Sequence, residues 1–246
     1  MKNLRQYIRI LLNEESQKPF DEDIFRKIRN ARLFGEEMPI INIDKLADLV
    51  NIKNGYDTPR NVFEPQKYKT FEDWFLRRLS PEKENECFVN AQAANVSSPV
   101  QGEIRRYPFG GGRLKNSIIL APQLNDVLRD AQHKIQISLK KCDYHHVHSP
   151  CDGRISEIRV LNHGDLFPKS ESMMVFYISG AIGDVAMACI GEQTVQTFVN
   201  IVNVGDVVKK MDNIGYFYFG SQILIGMPSP PSVCEGMFVF PGDQIG

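Results

Sequence analysis

The sequence predicts an α+β chain: an N-terminal helical region over residues 1–80, then a mainly β domain of barrel-sandwich type over residues 81–246, built from two related halves. Three observations lead there. Apolar residues recur at helical spacing through the first third of the chain. From about residue 95, short Val- and Ile-rich runs alternate with Gly, Pro, Asn and Asp turns. One element also occurs twice, as Ser98-Pro-Val-Gln-Gly102-Glu-Ile104 and as Ser149-Pro-Cys-Asp-Gly153-Arg-Ile155.

In the helical region, Leu4, Tyr7, Ile8, Leu11 and Leu12 lie on one helical face, with Lys2, Arg5 and Arg9 on others. Ile24, Phe25, Ile28 and Leu33 continue the pattern, and Asp44 stands where it can cap a helix carrying Leu46, Leu49 and Val50. Thr70, with an acid three residues on, opens a helix that holds Phe71, Trp74, Phe75 and Leu79 and is stopped by Pro81. In the β domain the runs SIILAP, HKIQISL, GRISEIRVLNHGD, MMVFYISG, TVQTFVNIVNVGD and GSQILIGM read as strands, and residues 123–132 as a short helix or loop. Each Ser-Pro-x-x-Gly element bends the chain sharply into a strand. A second pair, Gly164-Asp165-Leu166-Phe167 and Gly205-Asp206-Val207-Val208, supports the two-halves reading.

Composition narrows the function. The chain has 246 residues, 42% hydrophobic and 24% charged, which is globular rather than low-complexity composition. With 29 basic and 30 acidic residues it offers no general polyanion surface, so no nucleic-acid partner is expected. No run of 18 apolar residues occurs, and the N-terminus does not read as a secretory signal. Five widely spaced cysteines without a CxxC fit reduced thiols, and hence a cytoplasmic chain.

Chemistry concentrates in two places. Cys142-Asp143-Tyr144-His145-His146-Val147-His148 puts three of the five histidines within four residues. On a strand, alternation sends His146 and His148 to one face and Asp143 and His145 to the other. The reading without function is a polar strand end with hydrogen-bonded histidines. Cys142, His145, His148 and Cys151 have soft-ligand side chains, but spacings of three suit neither strand nor helix faces, and no metal is expected. The second place is Phe217-Tyr218-Phe219-Gly220-Ser221-Gln222-Ile223. A Gly-Ser pair between strands ordinarily marks a bulge. It also suits backbone cleavage: glycine leaves its carbonyl open, and the serine hydroxyl attacks once a histidine takes its proton.

These segments resemble the phosphatidylserine decarboxylases, which are pyruvoyl-dependent and self-processing. The resemblance covers about residues 65–246. It rests on Tyr68-Lys-Thr-Phe71-Glu-Asp-Trp-Phe75-Leu-Arg-Arg78-Leu79, similar to the family's FxxFFxRxL helix, and on Asp143–His148, similar to its DYHRxH motif with His146 at the usual Arg. It rests also on Gly164–Phe167, which matches GDLF, and on Gly215–Gln222, similar to GxFxLGST with Gln222 at the usual Thr. The resemblance implies that Ser221 attacks the Gly220 carbonyl. The resulting ester then eliminates, leaving chains 1–220 and 221–246 and a dehydroalanine that hydrolyses to a pyruvoyl group derived from Ser221. That ketone forms a Schiff base with the substrate amine and serves as electron sink while carbon dioxide leaves. By the same analogy His148 is the base for self-cleavage and His145 the proton donor in decarboxylation. Glu171, Tyr144 and Phe219 are expected to bind substrate. Phosphatidylserine is the default substrate, with phosphatidylethanolamine as product. A soluble amino acid is the first alternative, and an uncleaved, catalytically silent binding protein the second.

Two departures shape these expectations. Gln101 stands where the family has the aspartate that supports the histidine, and in a serine-protease triad such an amide costs about 10⁴ in rate. Asp152, at the matching place in the second repeat, is expected to compensate, with Glu103 as the other candidate. The loop after GDLF is nearly absent, and the family's membrane-docking helices are reduced to one basic amphipathic helix at 1–12, suited to a peripheral membrane surface. The family implies a homodimer.

Overall fold

The computed structural model describes residues 62–64, 71–105, 112–114, 117–119, 126–129, 131–140, 143–161, 173–191, 198–217 and 222–246. The helices expected before residue 62, the Gly164–Phe167 motif, Glu171, Phe219, Gly220 and Ser221 lie outside these residues.

Helix α1 (Phe71–Phe75) is shorter than the apolar spacing predicts. Leu79 pairs instead with Phe63 in an isolated bridge, and Ser80 N donates to Val62 O at 2.8 Å. Pro81 does not stop a helix; it begins α2 (Pro81–Ala93). The Ser80 hydroxyl accepts from Lys83 N, so Ser80 is the N-cap and Pro81 takes the first helical position, where its missing N–H costs nothing.

The β domain is antiparallel throughout its described pairs. Its strands are β1 (Gly102–Arg105), β2 (Gly112–Leu114), β3 (Ser117–Ile119), β4 (His133–Ser138), β5 (His146–His148), β6 (Gly153–Leu161) and β7 (Met173–Gly180). There follow β8 (Gly183–Ile190), β9 (Phe198–Asn200), β10 (Val207–Val208), β11 (Asn213–Phe217), β12 (Gln222–Met227) and β13 (Phe238–Val239). One eight-stranded sheet has the order β10-β6-β7-β8-β12-β4-β1-β13, a second the order β5-β11-β9, and β2 pairs with β3. The fold is α+β and mostly antiparallel, and the large sheet does not close into a barrel among the described residues.

The smaller sheet packs on the larger. Val147, Phe198, Ile214 and Phe217 join Ile137, Ile155, Phe176, Met187, Ile223 and Ile225 in one buried cluster. The central strand β12 is buried on both faces: Ile223 and Ile225 enter that cluster, while Leu224 packs with Val127, Leu128 and Tyr177 on the other side. Such a strand reads as a continuous apolar run, as Ile223–Ile225 does.

The repeated element is repeated in space. Ser98 Oγ donates to Val100 O and Ser149 Oγ to Cys151 O, each at 2.8 Å. A Cβ on Gly102 would meet Ser138 O at 2.8 Å and one on Gly153 would meet Ser179 O at 2.7 Å, so both sites need glycine for close strand approach. The partner of each element is also repeated. Residues 205–215 match 236–246, sharing Gly205/Gly236, Val208/Val239, Asp212/Asp243, Ile214/Ile245 and Gly215/Gly246. Ser149 N donates to Asp212 O as Ser98 N does to Asp243 O; Ile155 N donates to Asp206 O as Ile104 N does to Met237 O.

Candidate functional site

Strand β11 is antiparallel to β5, with Tyr216 opposite His146 and Gly215 opposite Val147. Phe217 N donates to His145 O at 2.9 Å. The chain therefore leaves the small sheet beside the histidine segment at residue 217 and enters the large sheet at Gln222, opposite Ser138 and Ile190. The Gly220-Ser221 pair lies in the connection between these two anchored ends.

The histidines hold three distinct environments. His148 is buried, and its two ring nitrogens have different partners: Met211 O at 2.6 Å from Nδ1, and the Tyr144 hydroxyl at 3.1 Å from Nε2. A carbonyl only accepts, so Nδ1 carries the proton and Nε2 is the basic nitrogen, taking a hydrogen bond from Tyr144. Burial holds His148 down to about 4, against the opposing effect of its hydrogen bond to Met211 O. The ring is thus neutral at pH 7 and competent as a base.

His146 Nε2 donates to Leu76 O at 3.0 Å, and its Nδ1 faces the Asn213 amide at 3.3 Å. Burial again lowers its proton affinity. His145 is fully buried and stacks on Phe75 with centroids 3.7 Å apart. The α1 segment thereby covers the histidine strand, through the Phe75 ring and the Leu76 carbonyl. His146 and His148 both stack on the Tyr144 ring, at 5.2 and 5.7 Å, as strand alternation requires.

Gln101 is buried and accepts from Tyr144 N at 2.8 Å. Asp152 is exposed and accepts from Lys210 N at 2.7 Å, one residue before Met211. Glu103 pairs with Arg105 at 3.0 Å. Asp143 is buried, accepts from Lys140 N at 2.7 Å, and is pushed up to about 7 by burial. Cys151 is a buried core thiol pushed up to about 12, and the four described cysteines are all free. Tyr144, expected at the substrate, turns its hydroxyl to His148.

Sequence reasoning missed Met211 and Gln222. Met211 has φ 71° where the matching Gly242 has φ 89°, a left-handed position that favours glycine. Aligning the two Val-x-x-x-Asp-x-Ile-Gly stretches exposes this Met-for-Gly exchange. Gln222 is buried, and its Oε1 has no hydrogen-bond partner among the described residues, an uncompensated acceptor one residue from Ser221. Nothing in the local sequence marks that side chain as buried.

A family model described as phosphatidylserine decarboxylase matches residues 71–246. The chain is 26% identical to "Phosphatidylserine decarboxylase proenzyme 3" of Schizosaccharomyces pombe, over 84% of this chain and 25% of that protein. It is 26% identical to a "Phosphatidylserine decarboxylase proenzyme" of Francisella philomiragia, over 77% of this chain and 78% of that protein. A proenzyme of the same name from Fusobacterium nucleatum is 26% identical over 65% of this chain and 60% of its own length. The chain thus spans only a quarter of the Schizosaccharomyces pombe protein, but most of the Francisella one.

Proposed function

The chain belongs to the phosphatidylserine decarboxylase family, and on that premise we propose that it is a carboxy-lyase that cleaves itself between Gly220 and Ser221 and converts phosphatidylserine to phosphatidylethanolamine by Schiff-base chemistry. The observation that carries this reading is the pairing of β11 with β5. It brings the strand leading to Gly220-Ser221 alongside the histidine segment, whose His148 is buried, neutral and basic at Nε2.

In self-cleavage, His148 Nε2 takes the Ser221 hydroxyl proton by way of the Tyr144 hydroxyl that occupies it, and the freed oxygen attacks the Gly220 carbonyl and expels the peptide nitrogen as an amine. The resulting ester eliminates to a carboxylate on Gly220 and a dehydroalanine at 221, which water hydrolyses to the ketone with loss of ammonia. The chain's own residues fit a pyruvoyl group at residue 221: the adjacent Gln222 Oε1 is a buried acceptor without a partner among the described residues, available to a substrate ammonium group. Such a group would supply a ketone, an electron sink for decarboxylation of the substrate amine. His145, packed on Phe75 away from bulk water, returns a proton to the carbon that loses carbon dioxide. Asp152 supports His148 through the turn that carries Met211. We place the reaction at the cytoplasmic face of a membrane, where the lipid resides, and the barrel-sandwich of two related halves as its scaffold.

Carbon dioxide release from phosphatidylserine vesicles, set beside free serine and other soluble amino acids, tests the reading. Release from the lipid alone supports it; release from a soluble amino acid alone replaces the substrate; release from none overturns the activity.

A further inference from the structure

Gln101 occupies the position from which the family's aspartate supports the histidine, yet its amide oxygen is committed to Tyr144 N at 2.8 Å. Both nitrogens of His148 are already partnered, Nδ1 by a backbone carbonyl and Nε2 by a phenol. The contacts form one line: Gln101 Oε1 holds the Tyr144 N–H, the Tyr144 hydroxyl holds His148 Nε2, and Met211 O holds His148 Nδ1. Gln101, Tyr144 and His148 are all buried, at 1%, 6% and 6% exposure, so no water shell would replace a lost partner.

The geometry points to a rewired support for His148: Met211's carbonyl replaces the family's carboxylate as the acceptor that fixes the tautomer, and Gln101 is a positioning residue that acts on His148 through Tyr144. This deepens the function proposed above and rests on it for its kinetic consequence. The backbone carbonyl is well suited to the exchange. It orients the ring as an acid would, and it carries no charge to draw the buried imidazole into its cationic form. Its position depends on the turn at 209–212, which Asp212 closes by accepting from Lys209 N at 2.8 Å and which Asp152 closes from outside. At the other end of the line, losing the Gln101 acceptor would leave the buried Tyr144 N–H unsatisfied. The segment would then shift to satisfy it, and the phenol would move with its backbone. Tyr144 has little freedom to compensate, because its ring stacks with both His146 and His148.

The test is a double-mutant cycle on the self-cleavage rate of the full chain, with Gln101→Leu, Tyr144→Phe and the pair together. Each single variant is expected to slow cleavage about tenfold, and the pair to be no slower than Tyr144→Phe alone, because both act on one contact. Gln101→Glu, which keeps an acceptor of the same length, is expected to stay within about threefold of the parent. A pair that loses the product of the two single effects overturns the inference, since Gln101 would then act on His148 independently of Tyr144.

The same ring is read without any cleavage in the Ser221→Ala chain, by nitrogen NMR of His148. The parent is expected to carry its proton on Nδ1, and Gln101→Leu to move the Nε2 resonance in the same direction as Tyr144→Phe. An Nε2-protonated ring, or a Gln101→Leu spectrum with Nε2 unmoved, overturns the inference whether or not the native chain cleaves. A native chain that never cleaves but shows the expected spectra overturns the proposed function alone and leaves the rewired support standing.

Discussion

The ring of Phe75 lies against the ring of His145, with centroids 3.7 Å apart and planes 29° apart. Two motifs separated by some seventy residues of sequence meet in that contact, and both rings are buried. Phe75→Leu keeps most of the apolar volume and removes the aromatic face, which costs about 1 kcal/mol of stability. With the roles proposed for His145 in decarboxylation and His148 in self-cleavage, the expected effect on function is larger in decarboxylation. Equal losses in the two assays would contradict that division of labour.

The proposed self-cleavage needs a neutral His148, and burial holds that residue down to about 4. The cleavage rate is therefore expected to be flat from about pH 8 to about pH 5 and to fall below about pH 4. A lower limb centred near the ordinary histidine value would show that the ring is solvated. His148→Gln is expected to leave the chain whole at every pH.

The fold was legible where local pattern and tertiary role agree. Runs such as HKIQISL and MMVFYISG become β4 and β7 because β-branched and aromatic residues fill a half-buried pleat. Pro81 misled because a proline closes one helix and opens another with equal ease; only the Ser80 cap, with its 3.2 Å hydrogen bond, decides. The histidine faces followed from alternation alone. The partners of those histidines did not, because Met211 O and Leu76 O are backbone atoms brought in from 63 and 70 residues away. No side-chain pattern encodes a carbonyl's position.

His148 and Asp143 bend the stability curve in opposite senses. For His148 the folded-state value is depressed, so its contribution is full above its ordinary value of 6.5 and lost as pH falls through about 4. For Asp143 the folded-state value is raised, so its contribution is full below its ordinary 3.8 and lost as pH rises through about 7. Asp143→Asn removes only the second effect. Its stability relative to the parent is expected to rise steadily between about pH 4 and pH 7 in urea titrations, and a constant difference would contradict the raised value.

Gln222 presents the trade between stability and activity in one side chain. Its buried Oε1 lacks a partner among the described residues, and Gln222→Leu removes that uncompensated acceptor at similar volume. The uncleaved chain is expected to gain about 1 kcal/mol in denaturant unfolding while decarboxylation falls about tenfold or more. A variant that is less stable and equally active would show that the amide has no ligand to meet.

Asp152→Ala removes the hydrogen bond to Lys210 N, at 2.7 Å on an exposed turn. The expected cost is about 1 kcal/mol of stability, with self-cleavage slowed only a few-fold because His148 takes its orientation from Met211 O. Complete loss of cleavage would make the carboxylate a direct partner of His148. Glu103→Ala, which breaks only the pair with Arg105, is expected to leave cleavage unchanged.

The most direct measurement is the intact mass of the purified, aged protein, before and after a carbonyl-trapping reagent. Two polypeptides, 1–220 and 221–246, with the shorter one blocked at its N-terminus and shifted in mass by the reagent, are the predicted result. A single 28.0 kDa species inert to the reagent would contradict the account.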